Sequence, residues 1–129
     1  MKCLCHSGLP HSECCGPYHA RKILPESALQ LMRSRYSAYA YKHPEYIIAT
    51  THPENPFFSK DSAAWTESIL QFCKKTEFRG LKILEFVEGD QEAFVTFLAH
   101  IFQNGKDVSF QETSRFIKVG DRWLYHSMQ

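Results

Sequence analysis

Four of the five cysteines lie within the first fifteen residues, as a C-x-C pair and then, after eight residues, two adjacent cysteines. Thiolates are ligands that zinc prefers in structural sites, where four of them complete a tetrahedron. Gly8, Pro10 and Gly16 allow the chain between the two pairs to turn back on itself. The pattern therefore predicts one structural Zn²⁺ ion with no open position for catalysis. The predicted ligands are Cys3, Cys5, Cys14 and Cys15.

Histidines around the cysteines leave the fourth ligand open. His6, His11 and His19 are close enough in sequence to replace one cysteine. Cys15 is the preferred fourth ligand, and His19 is its alternative. The competing interpretation of the whole cluster is a set of free or disulfide-bonded thiols without metal.

A second set of residues could line a pocket. At about 100° per residue, Arg33 falls on the apolar face of the first long predicted helix, and Arg35 falls off it. A buried guanidinium needs a partner, either a carboxylate such as Glu112 or Glu85 or an anionic ligand, and the sequence leaves both open. His52 lies in a loop with two prolines, where functional residues often occur. The candidate pocket residues are Arg33, Tyr36, His52, Glu112, Arg115 and Trp123.

Helices are predicted in the first half of the chain. Apolar residues at three- and four-residue steps predict a helix from Ser27 to about Tyr41, with a capping box formed by Ser27 and Gln30. A short helix is expected over residues 45–50. A longer helix is expected over residues 61–75, because its apolar residues again fall on one stripe.

Strands are predicted in the second half, where the hydrophobic period changes. Gly89-Asp90, Asn104-Gly105 and Gly120-Asp121 are turn sequences, and Asn-Gly is a strong two-residue hairpin signal. The predicted strands cover residues 81–88, 93–102, 108–119 and 122–126.

This order of elements predicts an α+β fold. The N-terminal helices pack on a curved antiparallel four-strand meander to form a cone, a cystatin-like arrangement. Residues 1–22 are expected to form a small zinc knuckle, and residues 23–129 are expected to form the cone.

Composition limits the function classes. The 129 residues carry a formal net charge of +1, so no global field attracts nucleic acid or an anionic membrane. No apolar run reaches the length of a membrane span, and the N-terminus lacks an export signal. These features predict a cytoplasmic protein. No phosphate loop, nucleophile elbow or paired-carboxylate motif is visible, which favours a non-catalytic function without deciding it.

The cysteine run resembles a known motif. Residues 3–8 (CLCHSG) and 14–16 (CCG) resemble the SEC-C motif, a zinc knuckle also found in the SecA translocation ATPase. Residues 31–39, which contain RSRYSAY, together with the remainder of the chain, resemble the bacterial YchJ family. This resemblance implies a zinc knuckle followed by a nuclear-transport-factor-2-like (NTF2-like) cone. In two departures from the family pattern, His6 replaces the usual glycine and Thr51 replaces a common tryptophan.

The resemblance implies a docking function, because SEC-C knuckles elsewhere act as docking modules. The expected partner is a protein or ribonucleoprotein with an acidic surface that meets Lys2, Tyr18, Arg21 and Lys22. The alternative is a small-molecule binder or enzyme that uses the cone around Arg33 and His52. A third alternative is thiol redox or metal handling by the adjacent Cys14 and Cys15. A sizeable cavity with Arg33 or His52 exposed inside it would favour the second interpretation, whereas a cone filled by Phe and Trp side chains would favour docking. The architecture leaves a homodimer open.

Overall fold

The computed structural model describes all residues from Met1 to Gln129, and it confirms the predicted α+β fold. Four helices precede an antiparallel sheet, and none of them is both long and apolar enough to cross a membrane. The helices are α1 (Gly16–His19), α2 (Ala28–Ala40), α3 (Pro44–Ala49) and α4 (Ser62–Lys75), and a 3-10 turn covers His11–Glu13. The strands are β1 (Thr76–Val87), β2 (Glu92–Gln103), β3 (Lys106–Asp107), β4 (Phe110–Val119) and β5 (Arg122–Met128).

The predicted cap of α2 is present. The Ser27 hydroxyl accepts a hydrogen bond from the Gln30 backbone N–H at 3.2 Å. The Gln30 side-chain oxygen accepts from the Glu26 backbone N–H at 2.6 Å, one residue earlier than in a standard capping box. Helix α4 begins in the same way, because Asp61 accepts from the Ala64 N–H at 3.0 Å. Local side-chain chemistry therefore fixes where both long helices begin.

The sheet follows the order β1-β2-β4-β5, and β3 also pairs with β2. Asn104 and Gly105 have φ values of 52° and 76°, which the two central residues of a type I′ hairpin require. The predicted strand 108–119 is shorter in the structure, because β3 and β4 are separated at Val108 and Ser109. There the Ser109 hydroxyl accepts from the Ile101 N–H at 3.1 Å, in place of a regular ladder bond.

Strand β1 begins five residues before its predicted start at residue 81, immediately after α4. Two register shifts interrupt its pairing with β2, between Phe78 and Gly80 and between Ile83 and Glu85. Each bulge moves the following side chains out of simple alternation. The bulges therefore hid the first part of this strand from a search for a period of two.

The main core lies between α2, α3, α4 and one face of the sheet. Leu31, Ile47 and Ile69 contribute from the three helices, and Val95 and Phe116 contribute from β2 and β4. These side chains are almost completely buried. The knuckle has a separate small cluster of Cys3, Cys5 and Cys15, against which Tyr41 packs.

The N-terminal segment rests on α2. The Arg33 guanidinium donates from Nη1 to the Cys5 carbonyl at 3.1 Å, and His19 Nε2 donates to the Ser34 carbonyl at 2.8 Å. Two short helical turns, absent from the sequence prediction, shape this segment. The second turn begins at Gly16-Pro17, and proline is favoured in a first helical turn.

Candidate metal cluster and candidate binding cavity

The four clustered cysteines bring their sulfur atoms together. All four Sγ atoms lie within 4.8 Å of one another, and the group could hold a metal ion. The Sγ of Cys14 is 3.5 Å from that of Cys5 and 3.9 Å from that of Cys15. Cys3, Cys5 and Cys15 are buried, while Cys14 is half-buried. The two cysteine pairs therefore converge as their spacing predicts.

The electrostatics of this group favour a cation. The neighbouring Cys15 thiol is the main cause that lowers the pKa of Cys5, and the same interaction raises the pKa of Cys15. Burial raises the pKa of Cys14 as well. One thiolate can therefore form readily while its neighbours resist ionisation. A divalent cation between the sulfurs removes that resistance, because it offsets the repulsion between thiolates.

Neighbouring side chains support the sulfurs. The Ser7 hydroxyl lies 3.2 Å from the Cys14 sulfur, and His11 Nδ1 lies 3.4 Å from the Cys3 sulfur. Such outer contacts orient thiolates in metal sites. His6 has a φ of 63°, a left-handed conformation that glycine adopts at little cost. This conformation explains why glycine is the usual residue here in the family that the sequence resembles.

His19, the alternative fourth ligand, faces α2 instead of the sulfurs. Its Nε2 is hydrogen-bonded to the Ser34 carbonyl, and its buried Nδ1 has no partner. Since a carbonyl only accepts, Nε2 carries the proton. Burial lowers the pKa of His19. The structure therefore groups Cys15, and not His19, with the other three cysteines.

A cavity of about 460 Å³ lies between α2, α4 and the inner face of the sheet. Most of its wall is apolar and aromatic, with Tyr36, Phe72 and Phe97 among the lining residues. Phe57, which is 81% exposed, also lines the cavity. The exposure of this lining residue shows that the cavity opens to solvent beside Phe57. A space of this size and character is typical of a small-molecule site.

Arg35 brings a positive charge to the cavity wall. Its side chain is only 8% exposed, and its Nη1 atom makes three contacts. Nη1 donates to the Ile47 carbonyl at 3.1 Å and to the hydroxyls of Thr50 and Thr51 at 2.7 and 3.1 Å. The guanidinium carbon also lies 4.9 Å from the centre of the Tyr125 ring. These contacts hold the end of α3 and fix the guanidinium beside the cavity.

A negative charge occupies another part of the wall. The Glu112 Oε2 atom accepts from the Tyr125 hydroxyl at 3.0 Å and from the Ser114 hydroxyl. Burial and then the Glu112 charge raise the pKa of Tyr125. No salt bridge joins Glu112 to Arg35, because no carboxylate oxygen lies within 4.0 Å of that guanidinium. The two charges are therefore separate features of one cavity.

Of the six predicted pocket residues, Tyr36 and Glu112 line the cavity and the other four do not. The placement of Arg33 was wrong: its guanidinium contacts the knuckle, and Arg35 takes the cavity position. Helix α2 is covered on two sides, by the knuckle and by the sheet, so one apolar stripe could not identify the cavity side. The spacing of Leu31, Arg35 and Ala38, all buried, was the available signal.

The placements of Arg115 and Trp123 also need correction. Arg115 forms an ion pair with Glu92, which lies diagonally across the β2–β4 pair, and Arg115 does not line the cavity. Trp123 is buried beside Lys118, away from the cavity lining. The side of the sheet that a residue faces depends on register. The register shift between Arg115 and Phe116 made that side hard to derive from alternation.

His52 was also misplaced, because it lies outside the cavity. Its Nδ1 accepts from the Glu54 backbone N–H at 3.0 Å, and its ring centre is 4.9 Å from that of His126. His126 Nε2 lies 2.9 Å from the Glu54 carboxylate. The preceding residue, Thr51, does line the cavity. The loop is held there because the His52 N–H donates to the Tyr125 carbonyl at 2.9 Å.

Comparison with known proteins agrees with this architecture. A family model described as YchJ, middle NTF2-like domain, matches residues 27–128. A UPF0225 protein of Yersinia pestis is 38% identical over 127 residues, which cover 95% of this chain and 79% of that protein.

Two solved structures are also similar. The solution structure of a SEC-C motif containing protein from Rhodopseudomonas palustris has a TM-score of 0.86 at 33% identity, covering 100% of this chain and 98% of that chain. The crystal structure of a SEC-C motif containing protein from Psychrobacter arcticus has a TM-score of 0.77 at 27% identity, covering 93% of this chain and 72% of that chain. With this fold and cysteine cluster, the chain belongs to the YchJ (UPF0225) family, whose middle domain is NTF2-like.

Proposed function

We propose that this protein binds a small organic molecule in the cavity, and that a structural zinc ion holds the knuckle against α2. The cavity supports the proposed binding of a small molecule, because its volume of about 460 Å³ and its apolar wall suit a small ligand. Tightly packed Phe and Trp side chains would have left no such space. The absence of a recognised catalytic motif makes binding the simpler function than catalysis.

The sulfur geometry supports zinc. A Zn–S bond of about 2.3 Å places the sulfurs of a regular tetrahedron about 3.8 Å apart. The observed separations of 3.5 and 3.9 Å around Cys14 are close to that value. Four thiolates close the coordination sphere, so the ion would have a structural role, as the resemblance to SEC-C proteins implies.

Metal analysis tests the zinc proposal. We expect one zinc ion per chain in the purified protein, and loss of that ion in Cys14→Ser, because a hydroxyl replaces one thiolate. Cys73→Ser is the matched control, since Cys73 is a buried thiol of α4 outside the cluster. Equal zinc content in all three proteins, or no metal in the wild type, would contradict the proposal.

Ligand titration tests the cavity proposal. We expect the neutral probe 3-phenylpropan-1-ol to shift backbone amide resonances of ¹⁵N-labelled protein at cavity-lining positions of α2, α4, β2 and β4. Shifts are expected there because the phenyl ring would lie against the aromatic wall. Amide shifts that are scattered over the protein surface, and not concentrated at cavity-lining positions, would contradict binding in the cavity.

Docking through the knuckle is the second candidate function. Its outer surface exposes Met1 (98%) and Leu9 (52%), and Lys2, Arg21 and Lys22 are exposed as well. An acidic protein or ribonucleoprotein surface could meet this mixture of apolar and basic groups. Affinity capture should be compared for the wild type, the Cys3→Ser/Cys5→Ser variant and the Cys73→Ser control. We expect partners that the wild type and the control retain and that the double variant loses. Identical partner lists would remove the docking function.

Location and assembly are part of the same proposal. All five cysteines are unbridged, which suits the reducing cytosol, and cell fractionation would test that location. The homodimer that the sequence leaves open stays a prediction. Sedimentation velocity would show it as a species of twice the monomer mass.

A further inference from the structure

We propose that the ligand of the cavity is an apolar or aromatic monocarboxylate, and that Arg35 binds its carboxylate group. This inference rests on the proposed binding function and specifies the chemical class of the ligand. The guanidinium of Arg35, the unpaired hydroxyl of Tyr39 and the apolar wall together carry the argument.

The hydrogen bonds of Arg35 leave part of its guanidinium free. All three protein acceptors are contacted by Nη1, while Nε and Nη2 donate to no protein group. The acceptors fix this arrangement, because the Thr50 and Thr51 hydroxyls donate to the Tyr46 and Ile47 carbonyls. Their lone pairs therefore face Nη1. Two nitrogen positions of a side chain that is more than nine-tenths buried remain available to an acceptor in the cavity.

The charge of Arg35 is also incompletely compensated. No carboxylate oxygen lies within 4.0 Å of it, although buried charges are normally paired. The face of the Tyr125 ring and the more distant Glu112 carboxylate give only partial compensation. Burial lowers the pKa of Arg35, which is the expected sign for a desolvated cation without a close counter-ion. A negatively charged ligand group would supply that counter-ion.

A carboxylate fits this position best. A guanidinium presents paired N–H groups in a plane, and a carboxylate accepts them as two parallel hydrogen bonds. The Tyr39 hydroxyl, which lines the cavity without a protein partner, offers a further donor. The neighbouring rings of Phe72 and Phe78 pack against Tyr39 at centroid distances of 5.6 and 6.4 Å. The body of the ligand would therefore meet aromatic carbon.

Glu112 restricts the chemical class of the ligand further. Its Oε2 atom already accepts from two hydroxyls, and its negative charge lies in the same wall as the apolar groups. A second carboxylate on the ligand would be repelled there, whereas an apolar or hydroxyl-bearing end would not. The cavity should therefore select monocarboxylates over dicarboxylates that carry the second carboxylate at the otherwise apolar end.

A matched ligand series tests the inference with the zinc-loaded chain of 129 residues. The probes are 3-phenylpropanoate, 3-phenylpropan-1-ol, 3-phenylpropylamine and the dicarboxylate 3-(4-carboxyphenyl)propanoate, titrated by calorimetry and followed by amide shifts. We expect the monocarboxylate to bind at least tenfold more tightly than the alcohol, and the amine and dicarboxylate to bind more weakly than the monocarboxylate. Equal affinities for the acid and the alcohol would overturn the inference and leave the cavity function standing. Failure of all four probes to bind would overturn both.

Two variants on one helix identify the anchoring residue. In Arg35→Gln the affinity for 3-phenylpropanoate should fall to that of the alcohol, while Arg33→Gln should stay within twofold of wild type. Arg35→Lys keeps the charge and loses the planar fork, so an intermediate affinity is expected. If Arg35→Gln does not fold, the wild-type ligand series and the affinity of Arg35→Lys decide whether Arg35 binds the carboxylate. Unchanged acid affinity in Arg35→Lys and Arg35→Gln, or its loss in Arg33→Gln alone, would overturn the assignment.

Discussion

At the residue scale, His19 shows how closely the knuckle and α2 are joined. Its ring lies 5.4 Å from the ring of His11 and 5.0 Å from that of Tyr46. A proton added to the buried Nδ1 would find no acceptor, since that atom has no hydrogen-bond partner. The neutral ring is therefore part of the packing between the two segments.

An NMR titration checks this description. Because burial lowers the pKa of His19, its ring should titrate below the ordinary value of about 6.5. The unfolded chain takes up this proton first as the pH falls. The contribution to stability is therefore complete above the ordinary pKa and is lost as the pH decreases towards the folded pKa. A midpoint above 6.5 for the His19 ring resonances would contradict the structure.

Thr51 provides a second test at this scale. It lines the cavity at the position where tryptophan is common in the family that the sequence resembles. Thr51→Trp should weaken 3-phenylpropanoate binding at least tenfold, because an indole would occupy cavity space and displace a hydroxyl that fixes Arg35. His52→Gln is the matched control, since the neighbouring side chain lies outside the cavity. Unchanged binding in Thr51→Trp, by calorimetry, would show that this part of the wall does not contact the ligand.

The cysteine cluster was predictable from sequence and the cavity charge was not. The spacing of Cys3, Cys5, Cys14 and Cys15 is local, so turns within fifteen residues are enough to bring the sulfurs together. Arg33 and Arg35 lie on different sides of α2, and their environments depend on what packs there. The knuckle covers one side of α2, and this tertiary contact cannot be derived from the helical periodicity of the sequence.

At the element scale, the capping of α2 is the most direct target. Ser27→Ala removes the acceptor for the Gln30 N–H and should lower the free energy of unfolding by about 1 kcal/mol. Ser62→Ala is the matched control, because Asp61 caps α4 and Ser62 is its first helical residue. Chemical denaturation of both variants would measure the difference. An equal effect in the two serine variants would contradict the cap.

The helices were predicted more closely than the strands for a physical reason. Caps and helical periodicity are encoded by neighbouring residues, so α2 and α4 begin within one residue of their predicted starts. The start of β1 and the division between β3 and β4 depend on pairing with β2. The bulges at Arg79 and Leu84 follow from that pairing and leave a weak trace in sequence.

At the scale of the whole molecule, metal removal tests how far the knuckle and the cone are independent. The predicted division after residue 22 stays a prediction. Chelation should expose the amides of residues 1–19 to hydrogen exchange and leave the cone folded, because the proposed metal ion would supply the folding energy of the knuckle. Helix α2 should lose part of its protection, since the Arg33 and His19 contacts would be lost.

Hydrogen exchange read out by mass spectrometry would measure this effect peptide by peptide. The sheet peptides of β2 and β4 act as internal controls, because they lie on the far side of the core from the knuckle. Simultaneous loss of protection in the knuckle and in β2 would show one cooperative unit. Full protection of residues 1–19 after complete metal removal would contradict a metal-dependent knuckle.

The fold class followed from the order of helices and strands, and the comparisons confirm it. The size of the cavity did not follow, because it depends on how far α2 and α4 stand from the sheet. From sequence alone, Phe72, Phe97 and Phe116 could equally be side chains that fill a core or side chains that line a cavity. Only their arrangement around an open volume distinguishes the two.

The tight turn at Gly16 has a consequence for genetics. A β-carbon at this position would lie 2.8 Å from the backbone carbonyl oxygen of His11, and backbone cannot move aside as a flexible side chain can. Replacing this glycine with alanine would change no sulfur and no cavity residue, yet would strain the loop that carries them. Such an allele should be heat-sensitive in living cells, and would let an investigator switch the protein off by warming a culture.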